Sequence, residues 1–264
     1  MQSRKSKLIE FNILEQENFR QRFPWIGGDL QTIRDTFCLD FKINNKVEKV
    51  FMSQAEIDSA NYDDATGTPQ PGYFKFQDVN NDGKVNADDR TAIGNYIPDF
   101  YYGITNEFDY GNWNLSFLLQ GVQGSEVLNL VNRHVGNNAG NFNQWADHVD
   151  RWRSEANPGS GTHPIAHRGA GSYNNRPSDY QVDDASYLRL RNATLGYNFP
   201  EDVLGNAIKR LRVYVSGTNL FTITDYVGYN PEANNQEDNL LVQGEDYGTY
   251  PLQRTFTLGV NINF

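Results

Sequence analysis

The end of the chain constrains the fold most. Phe256, Leu258, Val260, Ile262 and Phe264 stand at even positions, and Thr255, Thr257, Gly259, Asn261 and Asn263 fill the odd ones. Successive side chains of a strand point to opposite faces, so this spacing specifies a strand with one apolar and one polar face. The same grammar recurs upstream. Phe100, Tyr102, Ile104, Phe108 and Tyr110 alternate with Gly103, Thr105, Glu107 and Asp109. After the turn pair Gly111-Asn112, Trp113, Leu115, Phe117 and Leu119 alternate with Asn114, Ser116 and Gln120, which predicts a hairpin. Alternation resumes at Ala193, Leu195, Tyr197 and Phe199, and again at Leu211, Val213, Val215 and Phe221.

Each alternating segment is close to the roughly 9 to 11 residues a tilted membrane-spanning strand needs. The connections differ in length in a regular way. Short ones (111–112, 199–210) alternate with long polar ones (124–183, 225–250). Outer-membrane barrels have this asymmetry of short periplasmic turns and long extracellular loops, whereas a soluble two-sheet sandwich gives loop length no reason to follow strand direction. If Phe264 ends on the periplasmic side, all the short turns fall on that side and all the long loops outside. Five strands cannot close, since about eight is the practical minimum. The expectation is therefore an all-β chain: C-terminal strands of a large antiparallel outer-membrane β-barrel, an incomplete fragment of it, with long extracellular loops.

Composition agrees. Phe 16, Tyr 15 and Trp 4 make aromatics 13% of 264 residues, while the mean hydropathy is only −0.67. No stretch approaches the roughly 18 to 20 apolar residues of a membrane helix. The formal net charge of −10 argues against nucleic-acid binding. The single cysteine, Cys38, excludes an intramolecular disulfide and any zinc site needing two thiolates. His134, His148, His163 and His167 lie in Gly/Asn-rich sequence and read as solvated loop residues.

Three divisions follow: residues 1–52, which hold one or two weak strands; an extracellular loop over 53–99; and barrel strands with their loops over 100–264. Short helical turns are expected within 143–153 and 201–210. Residues 78–89 match a twelve-residue calcium loop. Asp78, Asn80, Asp82, the Lys84 carbonyl, Asn86 and Asp89 fall at positions 1, 3, 5, 7, 9 and 12, with Gly83 at 6 for the sharp turn. Asp89 is shorter than the usual Glu, so a structural calcium of modest affinity is expected. The alternative is an Asx-rich turn that satisfies its own backbone. Trp145, Trp152, Tyr173, Tyr180 and Tyr247 fall in the long loops, where they either stack on sugars or pack loop against loop. No nucleophile elbow, phosphate-binding Gly loop or HExxH spacing occurs, so no catalytic residue is assigned.

Several motifs in order resemble those of SusC/RagA-type TonB-dependent outer-membrane transporters. They are Gln77-Asp-Val-Asn-Asn-Asp-Gly-Lys-Val-Asn86, Asp184-Ala-Ser-Tyr-Leu-Arg-Leu-Arg-Asn-Ala-Thr-Leu-Gly-Tyr-Asn-Phe-Pro200, Arg212-Val-Tyr-Val-Ser-Gly-Thr-Asn-Leu-Phe-Thr222, Gly228-Tyr-Asn-Pro-Glu232, and the segment from Tyr250 to Phe264. The resemblance covers about 53–264. Phe41-Lys-Ile-Asn-Asn-Lys-Val-Glu-Lys-Val-Phe51 departs from the aromatic, Gly-containing strand such a family shows there. The resemblance implies a barrel of about 22 strands with a plugged lumen. It further implies import of oligosaccharides or peptides, a SusD-like lipoprotein partner, and the TonB complex acting through an N-terminal part this chain lacks. It also implies a terminal strand (Phe256, Leu258, Val260, Ile262, Phe264) read by the barrel-assembly machinery of a Gram-negative bacterium. The calcium motif also resembles that of dockerin modules, which carry it twice, with a short helix that would here cover 87–93. A soluble extracellular calcium- or carbohydrate-binding module is the alternative reading.

Overall fold

The computed structural model describes residues 7–15, 44–60, 62–136, 143–166, 171–204, 207–234 and 244–264. Its strands, in chain order, are β1 (Lys7–Glu15), β2 (Val47–Val50), β3 (Asp63–Asp64), β4 (Phe74–Phe76), β5 (Lys84–Val85), β6 (Phe100–Tyr110) and β7 (Trp113–Gln123). They continue with β8 (Glu126–Asn129), β9 (Val182–Asp184), β10 (Tyr187–Asn198), β11 (Arg210–Thr224), β12 (Glu245–Asp246) and β13 (Thr255–Asn263). Six of them form one antiparallel sheet in the order β1-β6-β7-β10-β11-β13. All five alternating segments are strands of this sheet, and β1 adds an edge strand that pairs with β6. The six strands make an open wall rather than a closed barrel.

Register explains the two faces. Residues directly opposite on paired strands project to the same side. Phe108, Leu115, Leu195, Val215 and Leu258 are opposite one another across five strands, a continuous apolar row. One step away, Glu107, Ser116, Thr194, Ser216 and Thr257 form a polar row. The apolar face is bare: Phe256 is 71% exposed and Leu258 76%. Burying such side chains is worth about 1.5–3 kcal/mol each, so a face of this extent requires an apolar surrounding. On that face, aromatic rings gather towards the short turns, with Trp113 and Tyr197 centroids 4.8 Å apart and Tyr197 and Phe199 5.0 Å apart. A second group, Phe100 and Tyr102 at 5.9 Å, lies at the opposite end of the strands. Two aromatic levels flanking an apolar band are what a barrel wall shows at the two membrane interfaces. The polar face is close-packed where bare backbone allows it. A Cβ on Gly259 would stand 2.2 Å from the Tyr214 ring of the neighbouring strand, so that ring lies flat across the glycine.

One strand changes phase. In β10, Asn192 pairs with Leu118 and Leu190 with Leu119, so Arg191 is an extra residue relative to β7. The matching irregularity on β11 contains Asn219, whose φ is 51°. Past this bulge the apolar face passes to the even residues Leu188 and Leu190, paired with Ile223 and Phe221. Arg189 and Tyr187 turn to the other face and are buried. The simple alternation resumes only at Ala193 for this reason, although the strand itself begins at Tyr187.

The long connections all leave from one end of the sheet, and their described residues fold against one another. Short ladders pair β2 with β4, β3 with β5, and β8 with β9 and β12. A core of Val50, Tyr73, Phe74, Phe76, Val85, Trp152 and Tyr173 joins the 44–99 and 143–181 segments. Hydrogen bonds cross between them: Phe74 N donates to Asn174 Oδ1 at 2.9 Å, Val47 N to Asp179 Oδ1 at 2.8 Å, and Trp152 Nε1 to Met52 O at 3.1 Å. Gly72, with φ 87°, brings the backbone against the Trp152 ring, where a Cβ would sit 2.6 Å from it. The expected helical turns appear as a 3-10 turn at Ala146–Asp150 and a helix at Glu201–Leu204. The helix expected over 87–93 is shorter, a 3-10 turn at Ala87–Asp89, because Thr91 instead bridges to Asn44.

Candidate functional site

The candidate functional surface is the cap made by the described residues of the long connections, together with the sheet end it covers. Within it, residues 78–89 fold as a tight wrap. Asp78 Oδ1 accepts from Asp82 N at 3.2 Å and its Oδ2 from Gly83 N at 2.8 Å. Asn80 Oδ1 accepts from Asp82 N at 2.9 Å, and Asp82 Oδ1 from Lys84 N at 2.9 Å. Asp89 is buried and accepts from Val79 N and Asn86 N, both at 2.8 Å. Burial opposes its ionisation, but those backbone N–H groups, with that of Asn80, outweigh it and hold the carboxyl below its ordinary value. Gly83 has φ 84°, the turn the sixth position of a calcium loop needs. Each ionised carboxylate has about four acceptor positions. The backbone bonds that make this an Asx-rich turn therefore leave oxygen lone pairs for a hard cation, and the donor set fits calcium.

The loop aromatics divide. Trp152 and Tyr173, each 7% exposed, are in the cap core, and Tyr180 packs against it. These rings pack loop against loop. Trp145 and Tyr247 are exposed, and Trp145 is anchored by its Nε1–H donating to Asn132 Oδ1 at 2.8 Å. The terminal-strand residues Phe256, Leu258, Val260, Ile262 and Phe264 are all exposed.

Two charged anchors escape sequence reasoning. Asp64, its side chain fully buried, takes Arg176 Nη2 at 2.7 Å and the Tyr173 hydroxyl at 2.8 Å. Burial alone would raise this carboxyl, yet hydrogen bonds from Arg176, Thr66 and Tyr173 hold it below its ordinary value. The Arg176 guanidinium also lies 3.8 Å over the Phe76 ring. The second anchor fastens the 225–234 loop to the sheet. Arg189, 2% exposed, pairs with Glu232 and donates to Thr222 Oγ1 at 2.8 Å and Asn230 Oδ1 at 3.3 Å. Burial works against the ionised Glu232 carboxyl, but Tyr187, Arg189 and Arg191 lower it. Asp64 and Arg176 lie 112 positions apart, and no local pattern joins them. Arg189 and Glu232 do sit within two of the family-like motifs, a signal that was available. Two of the histidines are a correction, while His134 is exposed as expected. His148 is buried and His163 mostly so, because both rings turn into the cap; they are not solvated. His167 lies outside the described residues.

No family model matches the chain. Two TonB-dependent receptors of Formosa agariphila are 38% and 39% identical to it, over 80% and 75% of this chain and 21% and 20% of their own. The TonB-dependent receptor SusC of Bacteroides thetaiotaomicron is 28% identical over 72% of this chain and 17% of its own. The solved RagAB peptide importer in its open-open state superposes with a TM-score of 0.62 at 18% identity, over 84% of this chain and 22% of that one. The chain thus spans about a fifth of the length of the curated relatives it matches. An amphipathic wall with aromatic levels and a folded loop cap is part of a β-barrel of the outer-membrane class. Within that class, the chain is the C-terminal region of a SusC/RagA-like TonB-dependent receptor.

Proposed function

We propose that this chain supplies barrel wall and extracellular cap to an importer of oligosaccharides or peptides driven by the TonB complex. It works in transport and carries no catalytic step. The observation behind this is the unbroken apolar row from Phe108 to Leu258 with long connections on one end only. The short turns face the periplasm and the cap faces outwards. A SusD-like lipoprotein sits on the cap, where the exposed Trp145 and Tyr247 rings offer stacking surfaces to it or to a sugar. The terminal strand is the segment the barrel-assembly machinery engages. Calcium in residues 78–89 stiffens the cap without taking part in transport.

The test is made on the receptor containing these residues. It should fractionate with outer membranes, migrate faster on gels before heating than after, and co-purify with a lipoprotein. Its deletion should abolish growth on one class of oligosaccharide or peptide. Recovery as a soluble monomer contradicts the reading. For the cation, chelation should lower the melting temperature of the cap, and Asp78→Ala should remove that response; a melting curve indifferent to chelator excludes calcium here.

A further inference from the structure

We propose that Asp147, His148 and His163 form a binding site for a zinc-like divalent transition metal that clamps the base of the 143–166 loop. The three side chains place one ligand atom each within 4.8 Å of one another, a set of His/Asp donors distinct from the oxygen-only loop at 78–89. His148 Nε2 lies 3.9 Å from Asp147 Oδ1 and His163 Nε2 3.8 Å from Asp147 Oδ2. Tetrahedral donors each about 2.0–2.1 Å from one metal stand roughly 3.3–3.4 Å apart, so each pair has to close by about half an ångström. The movement falls to Asp147, whose side chain is 65% exposed and free to turn inwards. The two rings are tilted by 31° with centroids 4.3 Å apart, so both histidines already lie side by side next to Asp147.

The surroundings prepare the donors. His163 Nδ1 is 2.8 Å from the Tyr180 hydroxyl, which donates to Gly136 O at 3.5 Å. With its proton so directed, the hydroxyl accepts from Nδ1–H, and His163 Nε2 keeps its lone pair towards Asp147. A second ring nitrogen tied up in this way is the usual support of a metal-bound histidine. The backbone closes the loop at the same place: Trp152 N donates to His163 O at 3.1 Å. Three protein donors leave a fourth position for water. A bound metal would fix the loop that carries Trp152 into the cap core.

The experiment uses the detergent-purified receptor after dialysis against chelator, titrated with Co2+ alone and then with Zn2+ in competition. The expected result is one cobalt per molecule with visible d–d absorption, displaced by zinc. Asp147→Asn and His163→Gln should each weaken cobalt binding by tenfold or more, and Tyr180→Phe, a positioning change, by less. Asp147→Asn keeps the shape of an exposed side chain, so it decides the matter even if His163→Gln fails to fold. No absorption at stoichiometric cobalt, or equal affinity in wild type and Asp147→Asn, would overturn the proposal.

Discussion

At the scale of single residues, the cap depends on charges that its own fold neutralises. Removing one partner of a buried ion pair leaves the other uncompensated, at a cost of about 3–5 kcal/mol. Asp64→Ala should therefore open the cap, read as lost amide-exchange protection at Phe74 and Phe76, while the sheet strands keep theirs. The pH dependence follows from direction. Asp64 is held below its ordinary carboxyl value, so its contribution is complete above about pH 4 and is lost as pH falls through the folded value. His148 is also held low, so the unfolded cap takes up its proton first, and stability begins to fall below about pH 6.5. Acid titration of cap exchange should show an early loss that His148→Gln abolishes and a later one that Asp64→Asn abolishes. A single transition untouched by either change would contradict both assignments. Neither group was legible from sequence. Asp64 meets Arg176 across 112 positions, and His148 meets His163 only once the loop has closed.

At the scale of elements, the alternating strands were legible because each residue's face is set by its parity alone. The hairpin Phe100–Tyr110 with Trp113–Gln123 and the final strand Thr255–Asn263 follow the alternation closely. The cap was not legible, since Phe74, Trp152 and Tyr173 reach one core from segments with no period of their own. The Arg191 bulge was half legible: Leu188 and Leu190 against Ala193, Leu195 and Tyr197 is an alternation that slips by one. Charge placed on the lipid side near the membrane centre costs roughly 2–4 kcal/mol, and lumen positions tolerate it. Leu195→Arg should therefore lower the denaturant midpoint and the yield of heat-modifiable receptor, and Thr194→Arg one residue away should leave both nearly unchanged. Equal effects at the two positions would contradict the facing deduced from register. Deleting Arg191 should bring the two halves of β10 into one uninterrupted alternation that matches β7 but not the irregularity at Asn219 of β11, visible as a lowered denaturant midpoint.

At the scale of the whole molecule, polar average composition, many aromatic rings and a sheet with a bare apolar face have one cause. The strands carry their apolar residues on one side, and the polar loops fold into a separate cap at one end. Both edges of the six-stranded wall are unpaired among the described residues, and lipid does not tolerate unpaired strand edges. The wall therefore functions as part of a larger closed barrel. The most direct measurement is a nitroxide scan in reconstituted receptor lacking Cys38, with labels along β7, β10 and β11 and accessibility read by oxygen and by a water-soluble nickel complex. The account predicts oxygen access and nickel protection at 115, 195 and 215, the reverse at 116, 194 and 216, and an inverted phase in β10 before Arg191, with 190 behaving like 195. Water access at both parities, or an alternation that runs through Arg191 without changing phase, would contradict it.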